Sequence, residues 1–151
     1  MSPNWSGSGR ARLEDFLDTS FIIAAAGSAT GLPRALFIFG RRSGWEFVTS
    51  LYCEEEVRRN IHKIGDAAFW LGEIRPALRF HATEVVFDYP LLLEATKDRP
   101  VVISALGSES DYLLTLDRND FATLLDTEVY GMRIRLPLNF AREIGLQPSD
   151  L

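Results

Sequence analysis

The chain predicts an α/β fold with a mostly parallel sheet, and three observations carry that prediction. Strand-like and helix-like runs alternate along the sequence, the pattern of βαβ units with helices on both faces of a sheet. Residues that cap or break helices stand between those runs: Ser50, Pro33, Pro100, Pro137 and the segment Gly27 to Gly31. Acidic residues, finally, fall where a strand would end or a helix begin: Asp18, Glu56, Asp98 and Asp117.

The elements follow in order. Arg12 to Asp18 reads as a first strand ending at an acid, and Thr19 to Ala26 as a helix broken by Gly27 to Gly31. Pro33 fits the opening of a second helix bearing Leu36, Phe37, Ile38 and Phe39, with a polar turn from Gly40 to Gly44. Trp45 to Thr49 alternates and carries aromatics, which marks a second strand. Ser50 is an N-cap, with Glu54, Glu55 and Glu56 near the positive end of the helix dipole and Val57, Ile61 and Ile64 along one face. A further helical stretch runs from Ala67 to about Arg79, interrupted by Gly72 and Pro76. Ala82 to Phe87 is a third strand, and Leu91 to Ala95 a helical turn. Asp98 caps a helix from Arg99 to about Ser108, Tyr112 to Leu116 is a fourth strand, and Phe121 to Leu125 a short turn. Met132 to Leu136 forms a fifth strand and Pro137 to Ile144 a closing helix.

At 151 residues the chain has the length of one domain and can bury a core. Residues 1–11, rich in Ser, Gly and Asn, read as a flexible tail, and residues 12–151 as a single domain. The formal net charge of -5 argues against nonspecific coating of nucleic acid, which draws on Lys and Arg. It leaves a nuclease open, since acids then gather at the metal and basic residues line the rim. Cys53 is the only cysteine, so neither an intrachain disulfide nor a cysteine zinc cluster can form. His62 and His81 are too few for a His-rich metal site and read as structural. The apolar run from Phe16 to Ala26 is short and interrupted by Asp18, so no membrane span is expected. This composition suits the cytoplasm.

Each acid taken alone has an ordinary explanation: Asp98 as an N-cap, Glu54 to Glu56 as a solvated first turn, Asp117 with Asn119 as a turn. Asp18 is harder to dismiss, because an acid between Leu17 and an apolar helix lies near the core, where an unpaired charge is costly. Together they point elsewhere. An open α/β sheet holds ligands outside the carboxyl ends of its strands, and acids gathered there attract a hard divalent cation able to promote phosphodiester cleavage.

The runs Leu17-Asp18-Thr19-Ser20, Ser50 to Val57, Asp98 to Leu106 and Asp111 to Phe121 resemble the PIN domain in order and spacing. The resemblance covers nearly the whole chain after the tail, and Arg133 to Phe140 is similar to the last strand and helix of one bacterial branch. It implies a three-layer α/β/α sandwich with a mostly parallel central sheet. It also implies a Mg2+- or Mn2+-dependent endoribonuclease of the kind found as toxins in toxin–antitoxin pairs. By position, Asp18, Glu56, Asp98 and Asp117 would form the acidic quartet at the metal, with Thr19 and Thr115 as polar helpers and Asp120 as an acid behind them. Glu56 is preferred because Val57 follows it as in the family and its spacing from Ser50 fits; Glu54 and Glu55 compete for the role.

Arg99 and Arg118 each directly follow a site acid and are the preferred contacts to the RNA backbone, ahead of Arg41, Arg42, Arg58, Arg59 and Lys63. Partners implied are an RNA substrate, an antitoxin protein that covers the site, and a second copy in a homodimer. A phosphatase of the Asp-x-Asp type ranks low, since Asp18-Thr19-Ser20 lacks the second Asp. The remaining alternative is a catalytically silent PIN-like RNA-binding or protein-interaction module.

Overall fold

Strand β1 (Glu14–Leu17) lies at the centre of the sheet, and Asp15, Phe16 and Leu17 bury both of its faces. The computed structural model describes residues 12–63, 66–81 and 99–151. The expected tail over residues 1–11, Ile64, the strand Ala82 to Phe87, the turn Leu91 to Ala95, Asp98 and the side chain of Arg99 lie outside the described residues.

Around β1 stand α1 (Thr19–Gly27), α2 (Leu32–Ser43), β2 (Glu46–Ser50), α3 (Leu51–Asn60), α4 (Ala67–Phe69), β3 (Leu78–His81), α5 (Arg99–Gly107), β4 (Tyr112–Leu114), β5 (Glu128–Val129), β6 (Met132–Arg135) and α6 (Pro137–Glu143). The six described strands form one sheet in the order β3-β2-β1-β4-β6-β5. All pairs are parallel except β5 with β6. The fold is therefore α/β with a mostly parallel sheet, as the alternation of elements predicts. From β1 the chain moves outward to β2 and β3, then returns to place β4 on the other side of β1. The strand order reverses between β1 and β4, and a crevice opens at such a point outside the carboxyl ends.

Successive strand residues face opposite sides. Leu17, Phe47, Tyr112 and Leu114 join one hydrophobic cluster with Phe21 and Ile22 of α1, Leu36 and Phe37 of α2 and Phe140 of α6. Phe16, Val48, Leu113 and Ile134 join a second cluster with Val101, Val102 and Ala105 of α5. Each fully buried Phe, Leu or Ile side chain contributes about 1.5–3 kcal/mol. Helix α3 bridges the two, with Cys53 in one cluster and Val57 in the other.

One acid is carried inside this core. Asp15 shares the face of Leu17, opposite Phe47 and Tyr112 in the ladder. It is wholly buried, and neither carboxylate oxygen has a hydrogen-bond partner among the described residues. Burial, reinforced by the negative charges of Asp111 and Glu14, lifts its pKa well above the usual carboxylate range.

Three elements differ from the sequence expectation. Helix α2 does not stop at Gly40 but runs to Ser43, because Gly40 lets the helix lie against the Trp45 and Phe47 rings; Gly44, at φ 80°, then ends it in the left-handed region. The stretch after Ala67 is not one helix to Arg79. A π turn (Trp70–Ile74) and a 3-10 turn (Arg75–Ala77) follow α4; Pro76, which has no N–H to continue α-helical bonding, sits inside that last turn, and Leu78–His81 pairs with β2 as β3. The antiparallel pair of β5 and β6 has no counterpart in the sequence expectation, which places a single strand at Met132 to Leu136. Tyr130 and Gly131 both have positive φ, 47° and 86°, and connect these two antiparallel strands in the sense favoured by two-residue hairpins.

The turn between α1 and α2 is held by Arg34. Its Nε and a guanidinium Nη donate at 2.8 Å to the carbonyls of Ala25 and Ala26, groups left without partners at the end of α1. Asp66 and the Phe69 ring flank the same guanidinium. Among the described residues no single helix is long and apolar enough to cross a membrane.

Candidate functional site

Asp18 follows β1 directly, and its backbone N–H donates to Leu114 O at 3.0 Å, extending the β1–β4 ladder by one rung. It then becomes the N-cap of α1, with extended φ and ψ of -68° and 155°. A cap in this position has its side chain beside the first helical N–H groups, and Asp18 Oδ2 accepts from Ser20 N at 3.4 Å. Two hydroxyls reinforce that contact. Ser20 Oγ donates to the same Oδ2 at 2.6 Å, and Thr115 Oγ1 at 2.8 Å. Both hydroxyls in turn accept backbone N–H groups, from Leu116 at 2.9 Å and Asp117 at 3.1 Å respectively. Their protons are thereby directed at Asp18, an arrangement suited to an ionised carboxylate, which only accepts. Burial pushes the Asp18 pKa up, and the hydrogen bonds from Ser20, Thr115 and the Thr19 backbone oppose that rise.

Asp117 lies just beyond β4. Its Oδ1 accepts from the backbone N–H groups of Asn119 at 3.1 Å and Asp120 at 2.8 Å, which shapes the turn that follows. The local reading of Asp117 as a turn residue and the reading of it as a site acid are therefore both compatible with its position. Its placement beside Asp18 comes from the parallel pairing of β1 with β4.

Glu56 enters from the other side, on α3. Ser50 caps that helix by accepting from Cys53 N at 3.0 Å. The three consecutive glutamates then diverge by about 100° each, as helical geometry requires. Glu54 turns inward and pairs with Arg75 at 2.7 Å. Glu55 pairs at the surface with Arg58 and Arg59. Glu56 faces Asp18, and its Oε1 accepts from Thr19 Oγ1 at 3.1 Å. Burial raises the Glu56 pKa, Thr19 opposes this, and the negative charges of Asp18 and Asp120 add to it.

Asp18, Glu56, Asp117 and Asp120 line one cleft of about 520 Å3, together with Thr19, Ser20, Ile23, Tyr52, Asn60, Val101 and Phe121. All its potential metal donors among the described residues are oxygens or an amide, with no Cys or His in the wall. Among the described residues no group of three or more Asp, Glu, His or Cys side chains is gathered tightly enough to hold a cation unaided. The donor chemistry still fits a hard divalent ion, and Mg2+ in particular takes one or two carboxylates and keeps several waters.

The basic candidates whose side chains are described lie outside the cleft wall. Arg118 is exposed and outside the cleft wall. Arg41 and Arg42 line a separate shallow groove with Phe37, Ile38, Phe69 and Glu73. His62 is exposed and His81 ends β3; neither lines the cleft.

Sequence reasoning missed Ser20, Tyr52 and Asn60. The last two stand four residues before and after Glu56, on the same row of α3, so the choice of Glu56 carried them with it. Ser20 was legible only as a neighbour of a capping Asp; its bond to Leu116 crosses the sheet. No family model matches this chain, and no curated protein matches it.

Proposed function

We propose that the chain is a PIN-like, metal-dependent endoribonuclease with a three-layer α/β/α architecture. The observation that supports this most is the convergence of Asp18 and Asp117, from the carboxyl ends of β1 and β4, with Glu56 in one cleft at the reversal of strand order. The cleft wall carries both acids and neutral hydroxyls.

Asp18, Glu56 and Asp117 would hold a Mg2+ or Mn2+ ion, with Asp98 as the fourth acid. Such an ion, when bound, supplies an acidified water as nucleophile and charge stabilisation for the phosphate. The chain's own residues prepare that site. Ser20 and Thr115 fix the Asp18 carboxylate by its Oδ2, so the group that would contribute to a cation site is already held in place. Thr19 holds Glu56 in the same way. Burial is the main reason the Glu56 pKa is raised, and the negative charges of Asp18 and Asp120 add to it; positive charge in the cleft would relieve that added part. Arg99 and Arg118 would meet the RNA backbone. An antitoxin covering the cleft, and a role in the cytoplasm, belong to the same proposal.

The test is cleavage of a panel of structured and single-stranded RNAs with Mg2+, Mn2+ or EDTA, beside Asp18→Asn and Asp98→Asn. Metal-dependent cutting that both variants lose supports the proposal. Absence of cutting by folded, Mn2+-loaded protein overturns it in favour of a binding module.

A further inference from the structure

Tyr52 is a large aromatic side chain left 40% exposed beside a cleft of acids. Its own helix could have hidden it: the inward row of α3 is Cys53, Glu54 and Val57, all buried. Tyr52 belongs instead to the row that continues through Glu56 and Asn60, and all three line the cleft. Ile23, Val101 and Phe121 extend the wall with apolar surface. The cleft thus has two chemistries in one space, carboxylates and an apolar, aromatic side. It is also larger than an ion requires. A cation carrying a full shell of waters, at about 30 Å3 each, fills less than half of the roughly 520 Å3.

We propose that Tyr52 is the platform on which a nucleobase next to the scissile phosphate stacks, so that it positions RNA whatever the base. This rests on the ribonuclease reading above. A carboxylate-lined cleft repels phosphates unless a cation intervenes, so a neutral ring acting on the uncharged base is the contact this wall can offer directly. Every base has a π face, and stacking on an aromatic side chain tolerates many sequences. The ring sits one helical turn from Glu56, which places the base beside the acids and not at a remote subsite.

The experiment uses a short mixed-sequence single-stranded RNA with a fluorescent aminopurine placed at successive positions. Ca2+ replaces Mg2+ to hold it uncut. Wild-type protein, Tyr52→Phe, Tyr52→Leu and Tyr52→Ala are titrated against it. The expected result is quenching at one position by wild type and Tyr52→Phe. Tyr52→Leu and Tyr52→Ala lose the quenching and bind roughly 5- to 150-fold more weakly, the range set by one stacked base. Removing the base at that position, with an abasic residue, makes all four proteins bind alike. Tyr52→Leu keeps apolar packing, so its loss of quenching separates stacking from a folding defect. Equal binding and quenching by wild type and Tyr52→Leu overturns the inference while Mg2+-dependent cutting by wild type leaves the nuclease reading standing. Wild-type protein that neither binds nor cuts the RNA overturns both.

Discussion

Thr115 Oγ1 donates a 2.8 Å hydrogen bond to Asp18 Oδ2, joining residues 97 positions apart at the carboxyl ends of the two central strands. Thr115 is fully buried and its hydroxyl also accepts the Asp117 N–H, so one side chain ties both cleft acids to the sheet. Replacing it with Val removes a donor that lowers the Asp18 pKa and leaves part of a buried carboxylate unsatisfied. Thr115→Val is expected to destabilise the fold by about 1–3 kcal/mol. It should also raise the Asp18 pKa, which carboxyl NMR titration reads directly. A nuclease would in addition show the acid limb of its pH–rate profile moved to higher pH.

The three consecutive glutamates provide an internal control. Glu56→Gln removes a carboxylate from the cleft, while Glu55→Gln breaks only surface pairs with Arg58 and Arg59, worth at most about 1 kcal/mol. Calorimetric titration with Mn2+ should show at least a roughly tenfold loss of affinity for Glu56→Gln, on the order of 1.4 kcal/mol, and little change for Glu55→Gln. Equal effects of both would remove Glu56 from the ligand set.

Asp15 predicts an unusual pH dependence of stability. Its pKa is raised in the folded protein, whereas in the unfolded chain it titrates near about 3.9. Above about pH 4 the unfolded state releases a proton that the folded state retains. The neutral acid's contribution is complete below that pH and is lost as pH rises toward the folded pKa. The slope reaches at most about 1.4 kcal/mol per pH unit. Urea unfolding across this window should give a flatter curve for Asp15→Asn than for wild type. Asp18 and Glu56 add slopes of the same sign, so the difference between the two curves isolates Asp15.

Gly40 tests the packing of α2 on β2. A Cβ there would stand 2.4 Å from the Trp45 ring and 2.5 Å from that of Phe47. Gly40→Ala gains helix propensity, about 1 kcal/mol, but forces two buried aromatic rings apart. We expect a net loss of about 1–3 kcal/mol, as for overpacked cores, measured by denaturant unfolding. A stabilised variant would mean the rings yield freely.

Much of the secondary structure is legible in the sequence alone. Local signals settle helix starts and central strands: Ser50 before α3, Pro137 at the start of α6, and the apolar runs of β1, β2 and β4 depend on residues a few positions apart. Their alternation carried the mostly parallel sheet. The sequence by itself also marked Asp18 and Asp117 as acids just past strand ends, whereas Glu56, expected at a helix start, stands in the middle of α3. Tertiary structure decided what local patterns do not contain. The order β3-β2-β1-β4-β6-β5 places Asp18 beside Thr115 and Asp117, and that order is a matter of long-range pairing. The end of α2 depends on rings of β2, and Leu78–His81 became a strand because β2 offered an open edge, against a helical local pattern. The same holds for Asp15, an acid in a strand that reads as ordinary until the layers on both sides close over it and leave it without a hydrogen-bond partner among the described residues. Periodicity, capping and chain stiffness act over a few residues and are written in the sequence; burial and juxtaposition arise only when distant segments meet.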